Sequence, residues 1–193
     1  MAGTIFLIAG PSGSGKTTLT QALVRRITGL TKAITVTTRQ MRPGEVTGID
    51  YHFVSTEEFR EMQQGGELIE SDFIYNEYYG VPRAVLDLAG DIAIVITVDG
   101  ALTLRRQRTN AKSIFILPAS LESASARVAA RRCPNEDFRI ARYESEALAA
   151  RHFDHVILNL DFMQSVHQVE TIIFAQRRPC AVSSGRNQVR IAG

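Results

Sequence analysis

The chain has 193 residues, 45% of them hydrophobic, and a net charge of only +2. That is enough for one α/β domain with a real core, and it gives no general case for nucleic-acid binding. No apolar run approaches the roughly 18 residues of a membrane span, and the two cysteines, Cys133 and Cys180, make neither a disulfide framework nor a metal cluster.

The chain enters its first predicted strand, Thr4 to Ala9, at once, so the sequence predicts no secretory leader and a reducing, cytoplasmic compartment. Residues 10 to 17 then read Gly10-Pro11-Ser12-Gly13-Ser14-Gly15-Lys16-Thr17, a complete phosphate-binding P-loop. Its glycines let successive N–H groups converge on one anion. Lys16 supplies a charge for the β- and γ-phosphates, and the Thr17 hydroxyl can hold Mg²⁺. Leu19, Ala22 and Leu23 recur at helical spacing over Thr17 to Arg26. The positive end of that helix dipole therefore falls on the phosphate. ATP with Mg²⁺ is the expected ligand.

A second strand is predicted over Ala33 to Thr37. Residues 39 to 81 then break the rhythm, with strand-like pieces at Tyr51–Val54 and Leu68–Ser71. Between them lies a helix that opens on a capping box, Ser55 with Glu58 three residues on. This reads as a small α+β insertion at the carboxyl edge of the sheet, facing the ligand crevice. It carries Arg39 and Arg42 beside a Pro-Gly turn, two forks suited to a phosphate. Tyr51 and Tyr79 offer hydroxyls, and Glu70 an acceptor-only carboxylate for the N–H edge of a base.

Further strands are predicted at 91–98, 113–117 and 154–158, and helices at about 83–89, 101–108, 120–131, 136–150 and 162–177. The alternation implies a mainly parallel sheet covered on both faces. The P-loop core is expected to comprise residues 1–38 and 82–177. From Arg178 to Gly193 the chain lacks apolar periodicity and is predicted to be a disordered tail. Arginines number 19 against three lysines. His52, His152, His155 and His167 are scattered without metal-ligand spacing and read as structural.

The ordered motifs resemble the guanylate kinase family over about residues 3 to 175. The likeness rests on Gly10–Thr18, T-T-R-x-x-R-x-G-E at 37–45, Gly48–Val54, Glu67–Glu70 and Tyr78-Tyr79-Gly80. It continues through Arg127–Arg131, Arg142 and the run Asp154-x-Val156-Ile157-x-Asn159. The resemblance implies a P-loop NTPase three-layer α/β fold and transfer of the γ-phosphoryl group of ATP to GMP. Gly10, Pro11, Ser12, Gly13, Ser14, Gly15, Lys16, Thr17 and Thr18 would bind ATP, with Asn159 near adenine. Arg39, Arg42, Tyr51 and Tyr79 would hold the GMP phosphate, while Thr35, Glu70 and Asp99 would read guanine. Arg131 and Arg142, eleven residues apart, fall at the positions of lid arginines, so that a lid spans about 131–142. Lys16 and these arginines would be catalytic.

Two departures stand out. Val81 follows Tyr-Tyr-Gly where the family has Ser or Thr, which removes one hydroxyl near the base. Thr97 stands where an acid is usual. Tyr-Tyr-Gly-Val also resembles the ribose 1,5-bisphosphokinases, which lack the full arginine and Asp-Tyr-x-Phe runs. A non-catalytic binding module of the same family would typically have a damaged P-loop. The partners expected are small-molecule nucleotides, not nucleic acid or membrane, on a monomer or homo-oligomer.

Overall fold

The structure is a computed structural model that describes residues 3–108, 110–130 and 136–177. Arg131, Cys133, Cys180 and the expected tail lie outside the described residues. In chain order the elements begin with β1 (Ile5–Ala9), α1 (Lys16–Arg26), β2 (Leu30–Lys32), β3 (Thr35–Thr37), β4 (Tyr51–Phe53) and α2 (Thr56–Gln64). Next come β5 (Leu68–Ile74), β6 (Glu77–Pro82), β7 (Asp91–Val95), α3 (Val98–Gln107) and β8 (Ala111–Pro118). The chain continues through α4 (Leu121–Ala129), α5 (Glu136–Ala141), α6 (Tyr143–Leu148), β9 (His155–Asn159) and α7 (Phe162–Gln176).

Five strands form a parallel sheet in the order β2-β7-β1-β8-β9. All five residues of β1 are buried, because the strand is central and both of its faces are covered. Successive side chains point to opposite faces. Ile5, Leu7 and Ala9 enter one core with Leu104 of α3 and Phe115. Phe6 and Ile8 enter the other, with Leu19 and Leu23 of α1 and Val166, Val169 and Ile173 of α7. Helices on both faces of a parallel sheet make the three-layer α/β architecture expected.

A second, four-stranded sheet has the order β4-β3-β6-β5. Phe59 of α2 is fully buried, and Gly80 of β6 lies so close that an added Cβ would come within 2.9 Å of Leu68 and 3.0 Å of the Phe59 ring. The capping box at Ser55 forms as predicted, with Glu58 N–H donating to the Ser55 hydroxyl and Ser55 N–H to the Glu58 carboxylate.

Several boundaries differ from the sequence expectation. Of the strand predicted over Ala33–Thr37 only Thr35–Thr37 forms, and it belongs to the small sheet; the second strand of the parallel sheet is Leu30–Lys32, which the sequence reading did not predict. The piece predicted at Leu68–Ser71 runs on to Ile74, turns at Tyr75-Asn76 and returns as β6. Both turn residues have positive φ, 57° and 62°, the geometry of a two-residue hairpin turn matched to strand twist. The strand predicted to Val98 stops at Val95, since the Thr97 hydroxyl accepts from Gly100 N–H and starts α3 instead. Asp99 therefore sits in the first turn of a helix. The helix predicted at 83–89 is a short 3₁₀ helix, Arg83–Asp87. The one predicted at 136–150 is divided into α5, α6 and a 3₁₀ turn at Ala149–His152. Among the described residues no helix is long and apolar enough to cross a membrane.

Candidate active site

The loop after β1 is held from three sides. Lys16 Nζ donates to the carbonyls of Gly10 at 2.5 Å and Pro11 at 2.8 Å. Arg127 of α4 donates to the Gly13 carbonyl at 2.8 Å, and Asn159 at the end of β9 donates to the Ser14 carbonyl at 2.9 Å. Gly15 precedes α1 at φ +93°, and a Cβ there would come within 2.8 Å of the Asn159 amide. Ser14 N–H is used within the loop, on the Pro11 carbonyl at 3.2 Å, and loop N–H groups at the start of a helix suit an anion. The Ser14 hydroxyl is buried with no hydrogen-bond partner among the described residues. Thr17 lies in the first turn of α1 and lines the cleft. Among the described residues no three His, Cys, Asp or Glu side chains gather as a metal site.

The cleft spans about 880 Å³, open solvent at its mouth included. Gly10, Ser12, Gly13, Gly15, Lys16 and Thr17 line one part of it. Thr35, Arg39, Arg42, Tyr51, Glu70, Tyr79 and Val81 line another, supplied by β3, β4, the following loop and the β5–β6 hairpin. Two groups of residues far apart in sequence thus share one cavity. Pro11 and Ser14 are buried under the loop, and Asn159 is buried behind it. Thr18 is exposed on α1, and Asp99 is exposed on α3. Arg142 guanidinium nitrogens lie 3.9 Å from Asp99 and 3.6 Å from Glu146.

Arg39 is buried, with its guanidinium carbon 5.4 Å from the Tyr51 ring centre and 5.5 Å from that of Phe53. Burial opposes its charge, but the bond to Glu45 and the charge of that carboxylate outweigh burial and hold its pKa above the ordinary value. Burial likewise opposes the charge of Glu45, yet Arg39 and the Arg42 N–H keep its pKa below the usual carboxylate range. The pair is a desolvated cation kept charged by its own carboxylate, ready for an anionic ligand.

Glu70 is the opposite case. It is buried, and burial first, then the Asp72 and Asp99 carboxylates, push its pKa up to about 8. It packs on the first turn of α3 so closely that a Cβ on Gly100 would come within 2.6 Å of the carboxylate. A buried carboxylate with no ion pair among the described residues fits a ligand edge that brings N–H donors.

Four residues in this arrangement escaped sequence reasoning as site residues. Glu45 and Arg127 lay inside quoted motifs without a role. Tyr75 and Glu146 both line the cleft, and the Tyr75 hydroxyl donates to Glu146 Oε1 at 2.5 Å. Burial pushes the Glu146 pKa up, opposed by Tyr75, Lys16 and Arg142. No local pattern marks a contact that joins residues 71 positions apart.

Comparison with known proteins places these features in company. A family model described as guanylate kinase matches residues 2–176. A guanylate kinase of Chromohalobacter salexigens is 38% identical over 183 residues, covering 91% of this chain and 85% of that protein. One from Wolbachia of Brugia malayi is 32% identical, covering 91% and 94%. The crystal structure of guanylate kinase from Anaplasma phagocytophilum matches with a TM-score of 0.77 at 29% identity, over 93% of this chain and 88% of that one. A shikimate kinase from Bacteroides thetaiotaomicron, TM-score 0.54 at 14% identity, shares the fold alone.

Proposed function

The chain belongs to the guanylate kinase family, and on that premise we propose that it is an ATP:GMP phosphotransferase that forms ADP and GDP. The observation that carries the reading is the single cleft lined by a P-loop at one part and by Arg39, Arg42 and Glu70 at another.

The division of labour follows from the charges. The loop N–H groups and Lys16 take the β- and γ-phosphates of ATP, with Thr18 and Asn159 on the same side. Arg39, Arg42, Tyr51 and Tyr79 hold the GMP phosphate. Thr35, Glu70 and Asp99 face guanine, with Val81 beside them. A GMP phosphate oxygen attacks the γ-phosphorus in line, and the bond to the β–γ bridging oxygen breaks, so that ADP leaves. Little covalent work falls to the protein; it aligns the groups and offsets their charge. Lys16 and Arg142 do this at the moving phosphoryl group, and Arg131 belongs with them by its sequence position. Thr17 in the first turn of α1 fits a Mg²⁺ ion shared with the nucleotide phosphates. When bound, the ion neutralises charge on the phosphate oxygens. We assign residues 39–81, which supply most of the small sheet, to the acceptor subdomain, residues 1–38 and 82–177 to the core, and about 131–142 within it to the lid. We place the protein in the cytoplasm, acting on free nucleotides.

The test is a panel of GMP, dGMP, AMP, UMP and ribose 1,5-bisphosphate with ATP and Mg²⁺, reading ADP release. GMP is expected to be the best acceptor. Turnover confined to ribose 1,5-bisphosphate would overturn the acceptor assignment, and no turnover with any acceptor would favour a binding module.

A further inference from the structure

The tip of the β5–β6 hairpin reaches away from its own sheet and meets the helices after α4. Tyr75 occupies the tip at φ 57°, a left-handed conformation uncommon for a bulky aromatic residue. It is nonetheless buried. Its ring meets Phe138 of α5 edge to face, at 6.2 Å between centres and 86° between planes. Its hydroxyl donates to Glu146 of α6 at 2.5 Å. Glu146, only 4% exposed, in turn faces the Arg142 guanidinium at 3.6 Å. Arg142 reaches Asp99 on α3 at 3.9 Å. One hairpin residue thus touches both α5 and α6, and its polar contact leads directly to Arg142.

We infer that Tyr75 and Glu146 form a latch between the acceptor hairpin and helices α5 and α6, and that both are positioning residues for Arg142 in phosphoryl transfer. Arg142 is half-buried, but a long arginine side chain still has many rotamers, and catalysis needs its guanidinium on the developing charge. Glu146, one helical turn on, narrows that choice. Tyr75 fixes Glu146 and makes its position depend on the hairpin that binds the acceptor. Filling the acceptor site therefore sets the arginine that acts on the phosphoryl group. The inference deepens the kinase reading and rests on it.

The test compares wild type with Tyr75→Phe, Glu146→Gln and the double variant, using ATP and GMP, with thermal melts of each. Each single change is expected to lower kcat about tenfold, the worth of one hydrogen bond to a charged group, with both KM values within about threefold of wild type. The double variant should be no slower than the slower single one, because the residues act as one unit. If kcat stays within about twofold while the melting temperature falls, the contact is merely structural and the latch is refuted. Losses that multiply refute it too. A readout independent of turnover uses Leu148→Trp on α6, since the chain has no tryptophan of its own. Its fluorescence change on adding ADP and GMP should be lost, or need more ligand, once Tyr75→Phe is added. An identical titration with and without Tyr75→Phe overturns the latch. A wild type inactive with GMP defeats the kinase reading instead, and the same fluorescence comparison with ATP alone then decides the latch.

Discussion

Arg39 Nη2 lies 2.9 Å from Glu45 Oε1, and the second oxygen of the same carboxylate accepts from the Arg42 N–H at 2.8 Å. One acid therefore sets both acceptor arginines, one through its side chain and the other through its backbone. Arg39→Ala or Arg42→Ala is expected to raise the GMP KM and lower kcat, leaving the ATP KM nearly unchanged. A lost charge-assisted bond costs about 1.5–3 kcal/mol, or roughly ten- to hundredfold. Glu45→Gln should move the GMP KM in the same direction by less. Initial-rate kinetics with each nucleotide varied in turn checks this; weakened ATP binding would contradict the two-site division.

Lys16→Ala should remove most turnover, by at least about 10²-fold, because the β- and γ-phosphates lose the lysine of the loop. Lys16 Nζ donates to the Gly10 and Pro11 carbonyls and the residue belongs to neither apolar core, so the two cores should survive its loss. The melting temperature should change little. Near-normal rates in this variant are incompatible with the P-loop role.

Glu70 gives the acceptor site a pH dependence. With its pKa raised to about 8 by burial and by Asp72 and Asp99, it carries a proton at neutral pH in the empty protein. Accepting from guanine N–H groups requires the carboxylate. GMP binding should therefore release a proton, and GMP affinity should rise with pH until about 8 and then level off. Calorimetry in buffers of different ionisation enthalpy measures the release directly. For stability the sign is opposite. The folded state holds a proton that the unfolded state gives up near the ordinary glutamate value of 4.5, so stability falls as pH rises from there to about 8. The slope is at most about 1.4 kcal/mol per pH unit. Glu70→Gln should flatten both profiles and lower the preference for GMP over AMP. An unaltered GMP/AMP ratio in that variant would remove guanine reading from Glu70.

Much of this was legible before any coordinates. The P-loop is readable because its glycines and lysine answer a local need, and β1 because a strand buried on both faces is apolar throughout. Less local features were hidden. Nothing between Lys32 and Thr35 announces that the chain leaves one sheet for another, since both pieces suit strands equally. The return strand β6 escaped because its turn, Tyr75-Asn76, lacks the glycine that usually marks such a hairpin. The strand ending at Val95 was overextended because Ile96, Thr97 and Val98 have strand propensity, which the Thr97 cap overrides. Arg127 on Gly13, and Tyr75 on Glu146, are tertiary contacts that no periodicity encodes.

Arg142→Ala is expected to cut kcat much more than affinity for either nucleotide. Its contacts with the Asp99 and Glu146 carboxylates are long, 3.9 and 3.6 Å, so they offset its charge only in part before a phosphoryl group arrives. Arginines acting on such developing charge are worth roughly 10³-fold or more. Steady-state kinetics beside equilibrium titration of ATP separates the two effects. A large loss of ATP affinity at unchanged kcat would contradict the lid role.

Val81 carries the remaining departure from the family pattern. It pairs with Glu70 across the β5–β6 ladder, lines the cleft and is only 1% exposed. An apolar side chain there offers no hydroxyl to a base, and its burial among Val85, Ile96 and Val98 makes it part of the core. Val81→Thr keeps the shape and adds a donor beside the acceptor site. It should raise kcat/KM for GMP by up to about tenfold, the worth of one neutral hydrogen bond. The same hydroxyl, when no ligand is present, is a polar group placed in an apolar wall, and should cost about 1–3 kcal/mol of stability. The two effects have opposite signs and separate readouts, initial rates and urea unfolding. They are also linked: GMP should protect the variant against unfolding more than it protects wild type, because ligand supplies the missing partner. A variant that loses stability with no gain in kcat/KM and no extra protection by GMP would place Val81 in the core alone, away from the base.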